Sequence, residues 1–471
     1  MSYRQKPRNI AALGGGLLLG LVTSLSPGLA QVATSSEFLA ASAQSNGTST
    51  QTVSPLPTLT FRDALERAQR NDPQFQSAVS DARLAHEDRL QSRATPLPSL
   101  GLSSQYLNTQ GNGLIPTGKF VTQDGVHVYR EWSVVRQDLS PATLTRTDYK
   151  RATAAETLSQ TKAEKARLAL ALTVVKAYYG LVITQRKYTT AQEGLDQANR
   201  FVALGQSLER GGRKPHSDVV KFQLEQTAQQ KSLREANLAM EGARLDLAVL
   251  LFRDFDENFA IVDDLHQAPP VPSFSEVLAL AEMKNPEMRI AMNSARVASL
   301  NVAMARQAFL PSVKVEVDYG IESNCVGVRC VDVSYRGLGP VRTVGYSMTA
   351  VLNLPVWDWG VKKSKLRQAE IKHEQANLEL SAEQRQLVKN VHAAYNETQT
   401  ALAHLGTLRS AADLAAENLR LNIARYQTDE AVALEVVDAQ NSLTQARNAL
   451  DDGELRYRVA LANLQTLTGS F

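Results

Sequence analysis

Two stretches of about 65 residues contain no proline, and as helices at 1.5 Å per residue each would span on the order of 100 Å. The first runs from about Arg146 to Arg210 and is interrupted only by Gly180, Gly194 and Gly205. The second runs from about Val361 to Gln427 with Gly406 alone. Helices of that length are not covered by a small globular core and need coiled-coil or bundle partners. Leu168, Leu172, Val175, Tyr179 and Val182 supply a stripe near heptad spacing, with polar and charged residues on the opposite face. Each stretch ends in a short break, Arg210 to Ser217 and Gln427 to Ala431. The spacing predicts long helices over 146–209 and 361–427, and return helices over 217–251 and 432–467.

The chain is also duplicated. Phe61-Arg-Asp-Ala-Leu65 aligns with Phe274-Ser-Glu-Val-Leu278 at an offset of 213, and Ala68, Pro73 and Pro98 meet Ala281, Pro286 and Pro311 at the same offset. Ser217-Asp218-Val219-Val220 aligns with Leu434-Glu435-Val436-Val437 at 217. Such a period far exceeds a solenoid unit, so a whole folding unit is doubled. The halves are expected at 58–265 and 271–470, joined at Pro269, Pro270 and Pro272. Each half reads helix, hairpin, long helix, turn, helix, with hairpins over 98–138 and 311–354. Val313, Val315, Val317 and Tyr319 alternate with Lys314, Glu316 and Asp318. Strands of about ten residues suit a tilted transmembrane strand.

Arg4, Lys6 and Arg8 precede the uncharged run Ile10 to Val22, and Pro27-Gly28-Leu29-Ala30 follows; residues 1–30 read as a secretory signal peptide. Residues 31–57, rich in Ser, Thr, Gln and Ala, read as a flexible leader. Cleavage after Ala30 takes the formal net charge from +3 to about 0, which gives no electrostatic case for nucleic acid. No glycine-rich phosphate loop, nucleophile elbow or His-rich metal motif supports an enzyme, and no cofactor is implied. An exported chain with spanning strands points to a bacterial outer membrane. Four strands cannot close a barrel with a useful lumen, so several chains would share one.

Several local motifs accompany this architecture. They are Leu59-Thr-Phe-Arg-Asp-Ala-Leu65 with Asn71-Asp72-Pro73, its copy around Asn285-Pro286, and Leu354-Pro355-Val356-Trp357-Asp358-Trp359-Gly360. Further on stand Glu435-Val-Val-Asp438-Ala-Gln440 and Leu464-Gln-Thr-Leu467-Thr-Gly469. From Leu59 to Gly469 the chain resembles the TolC-like outer-membrane efflux protein family. The resemblance implies an α+β membrane protein that forms a homotrimer. Four strands per chain would build a shared 12-stranded transmembrane β-barrel, continued by a long periplasmic α-helical barrel. It implies contact with outer-membrane lipid, a periplasmic adaptor (membrane fusion) protein and an inner-membrane pump or ABC exporter. Substrates of a tripartite efflux or type I secretion system would pass through it passively.

The resemblance also assigns roles. Glu435 and Asp438, spaced i,i+3, match acidic positions that line the periplasmic entrance, where threefold symmetry would make carboxylate rings able to attract cations or hold a divalent ion. Asp218 is the first-half counterpart of Glu435. Tyr426 matches a position that helps hold the entrance closed, but the basic residue expected shortly after it is absent, since Ala431 stands there. Cys325 and Cys330, in the second hairpin's loop, permit a small disulfide. Trp132, Trp357 and Trp359 are candidates for a membrane-interface girdle, with a core role open for Trp132. Arg210, Arg213 and Lys214 read as a solvated tip or a partner-facing patch. The alternative is an exported structural or adhesive coiled-coil protein without a pore, which leaves the two internal hairpins unexplained.

Overall fold

The computed structural model describes residues 58–108, 127–253, 259–265, 271–323 and 344–471. Cys325 and Cys330 lie outside the described residues, as do the expected signal peptide and leader. The first half contains β1 (Thr58–Leu59), α1 (Phe61–Asn71), α2 (Pro73–Ala94), β2 (Ser99–Asn108), β3 (His127–Asp138), α3 (Pro141–Leu144), α4 (Thr147–Arg210) and α5 (His216–Leu251). The second contains β4 (Ala260–Ile261), α6 (Phe274–Lys284), α7 (Pro286–Gln307), β5 (Ser312–Ser323), β6 (Val344–Asn353), α8 (Val361–Gln427) and α9 (Ala433–Thr468).

The repeated sequence signals perform the same local work twice. Thr60 and Asp63 form a capping box at α1, and Glu276 accepts the Ser273 N–H at 3.1 Å at α6. Asp72 and Asn285 cap α2 and α7, each followed by a proline whose missing N–H costs nothing at that position. The short helices then meet the return helices end to end. The Asn71 side-chain amide donates to the Leu251 carbonyl at the end of α5, and that of Asn285 donates to Leu467 near the end of α9 at 2.9 Å. Asn285, only 2 % exposed, does both jobs in its half. Asn285→Ala is expected to cost about 2 kcal/mol, for one lost cap and one orphaned carbonyl. Asn285→Asp, which keeps the cap, should cost less; thermal unfolding midpoints in detergent check both.

The long helix α4 packs along α2, α5, α7 and α9. It contains a window apolar enough to cross a membrane, but 56 % of that window is buried inside the protein as core. Tyr178 sits fully buried at its centre. Its hydroxyl lies 2.7 Å from the Val262 carbonyl and 3.0 Å from that of Leu59, and it accepts the Val262 N–H at 3.1 Å. One side chain thus ties the parallel β1–β4 pair to α4. Phe61 packs edge-on to it at 5.8 Å. Gly205, an apparent weak point of α4, marks a close approach: a Cβ there would stand 2.9 Å from the Phe222 ring of α5.

The strands form one antiparallel sheet in the order β2-β3-β5-β6. Register fixes its two faces. Arg130 faces Glu322, Trp132 faces Gly320, Val134 faces Asp318 and Arg136 faces Glu316. Arg130 and Arg136 ion-pair with Glu322 and Glu316 at 3.1 and 2.7 Å. The other face carries Leu100, Leu102, Tyr106, Val135, Val315, Val317, Tyr319, Tyr346, Met348 and Leu352. Glu131 is the single charged residue among the described strand residues of this apolar face, and it accepts the Ser104 hydroxyl. Trp132 therefore does not belong to an apolar girdle. It lies in mid-strand on the charged face, with the Arg130 guanidinium 5.1 Å over its ring. Gly320 makes room for it, since a Cβ there would overlap the Glu131 carbonyl and come within 2.8 Å of the Trp132 Cα.

Candidate functional site

Two helical turns meet at the end of the helices away from the sheet. One joins α4 to α5 and the other α8 to α9, and each places a residue in the left-handed region: Gly212 at φ 68° and Asp429 at φ 70°. These two positions are 217 apart, the offset that relates Asp218 to Glu435. An aspartate tolerates that conformation better than most residues, and its carboxylate is used here. Arg213 donates to Asp429 from Nε and Nη2 at 3.0 and 2.6 Å, and to the Gln427 carbonyl at 3.0 Å. Lys214 donates to the Ala431 carbonyl at 3.0 Å, and its Nζ lies 3.5 Å from Asp429 and 4.7 Å from the centre of the Tyr426 ring. The hydrogen bonds from Arg213 hold the Asp429 carboxyl below its ordinary 3.8.

Beneath this clamp, Tyr426 is fully buried, edge-on to Phe222 at 5.4 Å. Its hydroxyl reaches Asp218 at 3.4 Å. Burial, and next the adjacent Asp218 carboxylate, push the Tyr426 hydroxyl up to about 12, so it stays protonated at neutral pH. Asp218 is 5 % exposed and lies against the Tyr426 hydroxyl, whereas Glu435 is half-buried and Asp438 exposed. Glu435 is ion-paired with Arg425 at 3.2 Å, because both flank the same turn. Asp438, one helical turn on, is exposed. Among the described residues of one chain, no group of three potential ligands could hold a metal, so a divalent ion at Glu435 and Asp438 would need carboxylates from several chains.

The tip residues missed from sequence are Asp429 and the joint use of Arg213 and Lys214. One signal was present: an aspartate stands in the second turn where the first has a glycine.

At the opposite end, Trp357 and Trp359 follow β6. They meet edge-on at 5.7 Å and are 76 and 88 % exposed. Trp359 is held at φ 54°, a conformation that favours glycine and costs a bulky residue on the order of 1–2 kcal/mol. Asp358 accepts the Gly360 and Lys362 N–H groups and caps α8.

Known proteins share this arrangement. The profile of the family described as Outer membrane efflux protein matches residues 64–251 and 277–470. The alkaline protease secretion protein AprF of Pseudomonas aeruginosa is 22 % identical over 419 residues, covering 86 % of this chain and 84 % of that protein. The outer membrane protein TolC of Escherichia coli is 21 % identical over 427 residues, covering 86 % and 81 %. The Campylobacter jejuni CmeC outer membrane channel superposes with a TM-score of 0.72 at 15 % identity, over 87 % of this chain and 86 % of that one. With most of both halves matched, this chain belongs to the outer membrane efflux protein family and is an outer-membrane channel of an efflux or secretion system.

Proposed function

We propose that three copies of this chain share one barrel of twelve strands, and that their helices form a periplasmic tunnel. The tunnel docks to a periplasmic adaptor and to an inner-membrane pump or ABC exporter, which supplies the energy. The observation that carries this is the four-stranded sheet. Both of its edges, β2 and β6, have no further strand partner among the described residues, and its two faces are apolar and charged. An open sheet with an apolar face is stable in lipid only when its edges are closed. The helices add support. Leu224, Leu238 and Leu245 of α5 are exposed at multiples of seven residues, and so are Ile371 with Leu378 and Leu414 with Leu421 of α8. Such heptad stripes need a partner helix, which a neighbouring copy supplies.

The meeting turns act as the periplasmic entrance and its closure. The closing cation comes from the other hairpin: Lys214 reaches the Ala431 backbone, the position where a base was expected. Asp438 provides the free carboxylate of the mouth, while Arg425 neutralises Glu435. Asp438→Asn is therefore expected to lower the cation-over-anion permeability ratio and weaken block by divalent ions. Glu435→Gln should change both less. Reversal potentials in a salt gradient across planar bilayers test this; a larger effect from Glu435→Gln contradicts it.

A further inference from the structure

The junction between sheet and helices carries charge and strain that the passage of cargo does not use. Among the described residues, three non-glycine residues have positive φ, and two of them, Arg146 and Trp359, lie at this junction. Both side chains are exposed, and the contact given for the Trp359 ring is Trp357, itself exposed. Arg146 is the N-cap of α4, and Trp359 immediately precedes Gly360, the N-cap of α8. The first two turns of α8 then hold Lys362, Lys363, Lys365 and Arg367, with no acidic residue in the first turn. Cations at a helix N-terminus oppose the helix dipole, and the one carboxylate at this end, Asp358, which accepts the Lys362 N–H, is outnumbered by them. Lys363, Lys365 and Arg367 are exposed and carry no ion pair among the described residues. Two exposed tryptophans followed within ten residues by exposed cations without an ion pair among the described residues point to a ligand outside the chain that is apolar on one side and anionic on the other.

The apolar face of the sheet indicates what that ligand is. Leu352 lies on this face of β6 and is exposed, and exposed Leu354, Val356 and Trp357 continue the chain from it toward α8. Lipid against β6 thus has its headgroup level at the tryptophans and the start of α8. We propose that this rim binds the headgroups of anionic phospholipids. Trp357 and Trp359 sit at the boundary of acyl chain and headgroup; Lys363 and Arg367, four residues apart on one face of α8, reach the phosphates, and Lys365 and Arg146 add charge at the same end of the helices. Long cationic side chains reach such a layer while their stems stay against apolar surface. The inference rests on the reading of the sheet as a membrane-spanning barrel, and it fixes the depth of that barrel in the bilayer.

The test uses the full mature chain carrying Trp132→Phe, which leaves Trp357 and Trp359 as its only tryptophans. It is reconstituted in phosphatidylcholine vesicles containing phosphatidylglycerol, with bromine placed near the headgroup end of one lipid or the other. At low salt, brominated phosphatidylglycerol should quench the fluorescence at least about twofold more than brominated phosphatidylcholine at equal mole fraction, given several cations near the surface. The excess should vanish in 1 M salt, where the screening length falls to about 3 Å. It should also vanish in the Lys363→Gln, Lys365→Gln, Arg367→Gln variant. Equal quenching by the two lipids at low salt overturns the anionic preference and leaves the barrel reading intact. An excess that persists unchanged in salt and in the variant overturns the role of the cations. Absence of quenching by either lipid overturns the placement of the rim at the headgroups, as when a neighbouring copy covers the tryptophans. The salt series decides the matter even if the triple variant fails to assemble.

Discussion

Tyr426→Ala is expected to hold the periplasmic entrance open. Tyr426 is fully buried between Phe222, Asp218 and Lys214, where the two helical hairpins meet. Truncating a buried aromatic residue costs about 3–5 kcal/mol of local packing. If only about 1.4 kcal/mol of that falls on the balance between closed and open tips, the open fraction rises roughly tenfold. Single-channel recording should therefore show a clear increase in time spent in the conducting state. Asp429→Gly is the informative companion. Glycine accepts the φ of 70° without strain, so the turn survives and only the carboxylate that holds Arg213 and Lys214 is lost. It should shift gating in the same direction, by less. Because Arg213 holds the Asp429 carboxyl below its ordinary 3.8, the contribution of this clamp is complete above that value and is lost only as the pH falls through the lower, clamped value. Closure is thus expected to be steady from neutral to mildly acidic pH. Unchanged gating in Tyr426→Ala contradicts the role given to the tip.

Tyr178→Ala is expected to prevent stable assembly. The side chain fills the centre of the main apolar cluster, and its hydroxyl is shared among the backbone groups of Leu59 and Val262. Losing the ring costs about 3–5 kcal/mol, and the β1–β4 pair loses its anchor on α4. Tyr178→Phe, which keeps the ring and takes the hydroxyl from the Val262 carbonyl while the Val262 N–H and the Leu59 carbonyl keep each other, should cost about 0.5–1.5 kcal/mol. The yield of heat-resistant oligomer and the thermal midpoint in detergent measure both. Burial raises this hydroxyl to about 12, above its ordinary 10. Its stabilisation is therefore fully present below about 10 and declines as the pH rises toward about 12.

Fold class was legible because its signals are periodic and repeated. Absence of proline over two long runs leaves few outcomes other than long helices. The alternation of Val313, Val315 and Val317 with charged residues marks a two-faced strand. Side-chain roles were less legible, because they depend on register and on contacts between segments distant in sequence. Trp132 looked like an interface aromatic because β3 alternates weakly; only its pairing with β5, which sets it opposite Gly320, assigns it to the charged face. Asp218 and Glu435 are equivalent in the repeat but differ in environment. The first is buried against Tyr426, and the second is half-exposed and paired with Arg425. The clamp of Arg213 and Lys214 on Asp429 joins residues more than 200 positions apart, a distance that no local pattern bridges.

The most direct test is the single-channel conductance of the purified protein in planar bilayers, recorded for the wild-type chain and for Tyr426→Ala. A shared barrel with a closable entrance predicts a steady pore of fixed unit conductance, rarely open in the wild type and mostly open in the variant. Folded oligomers of both forms that insert into the bilayer and pass no current, the variant included, would contradict a conducting barrel and favour an exported structural protein.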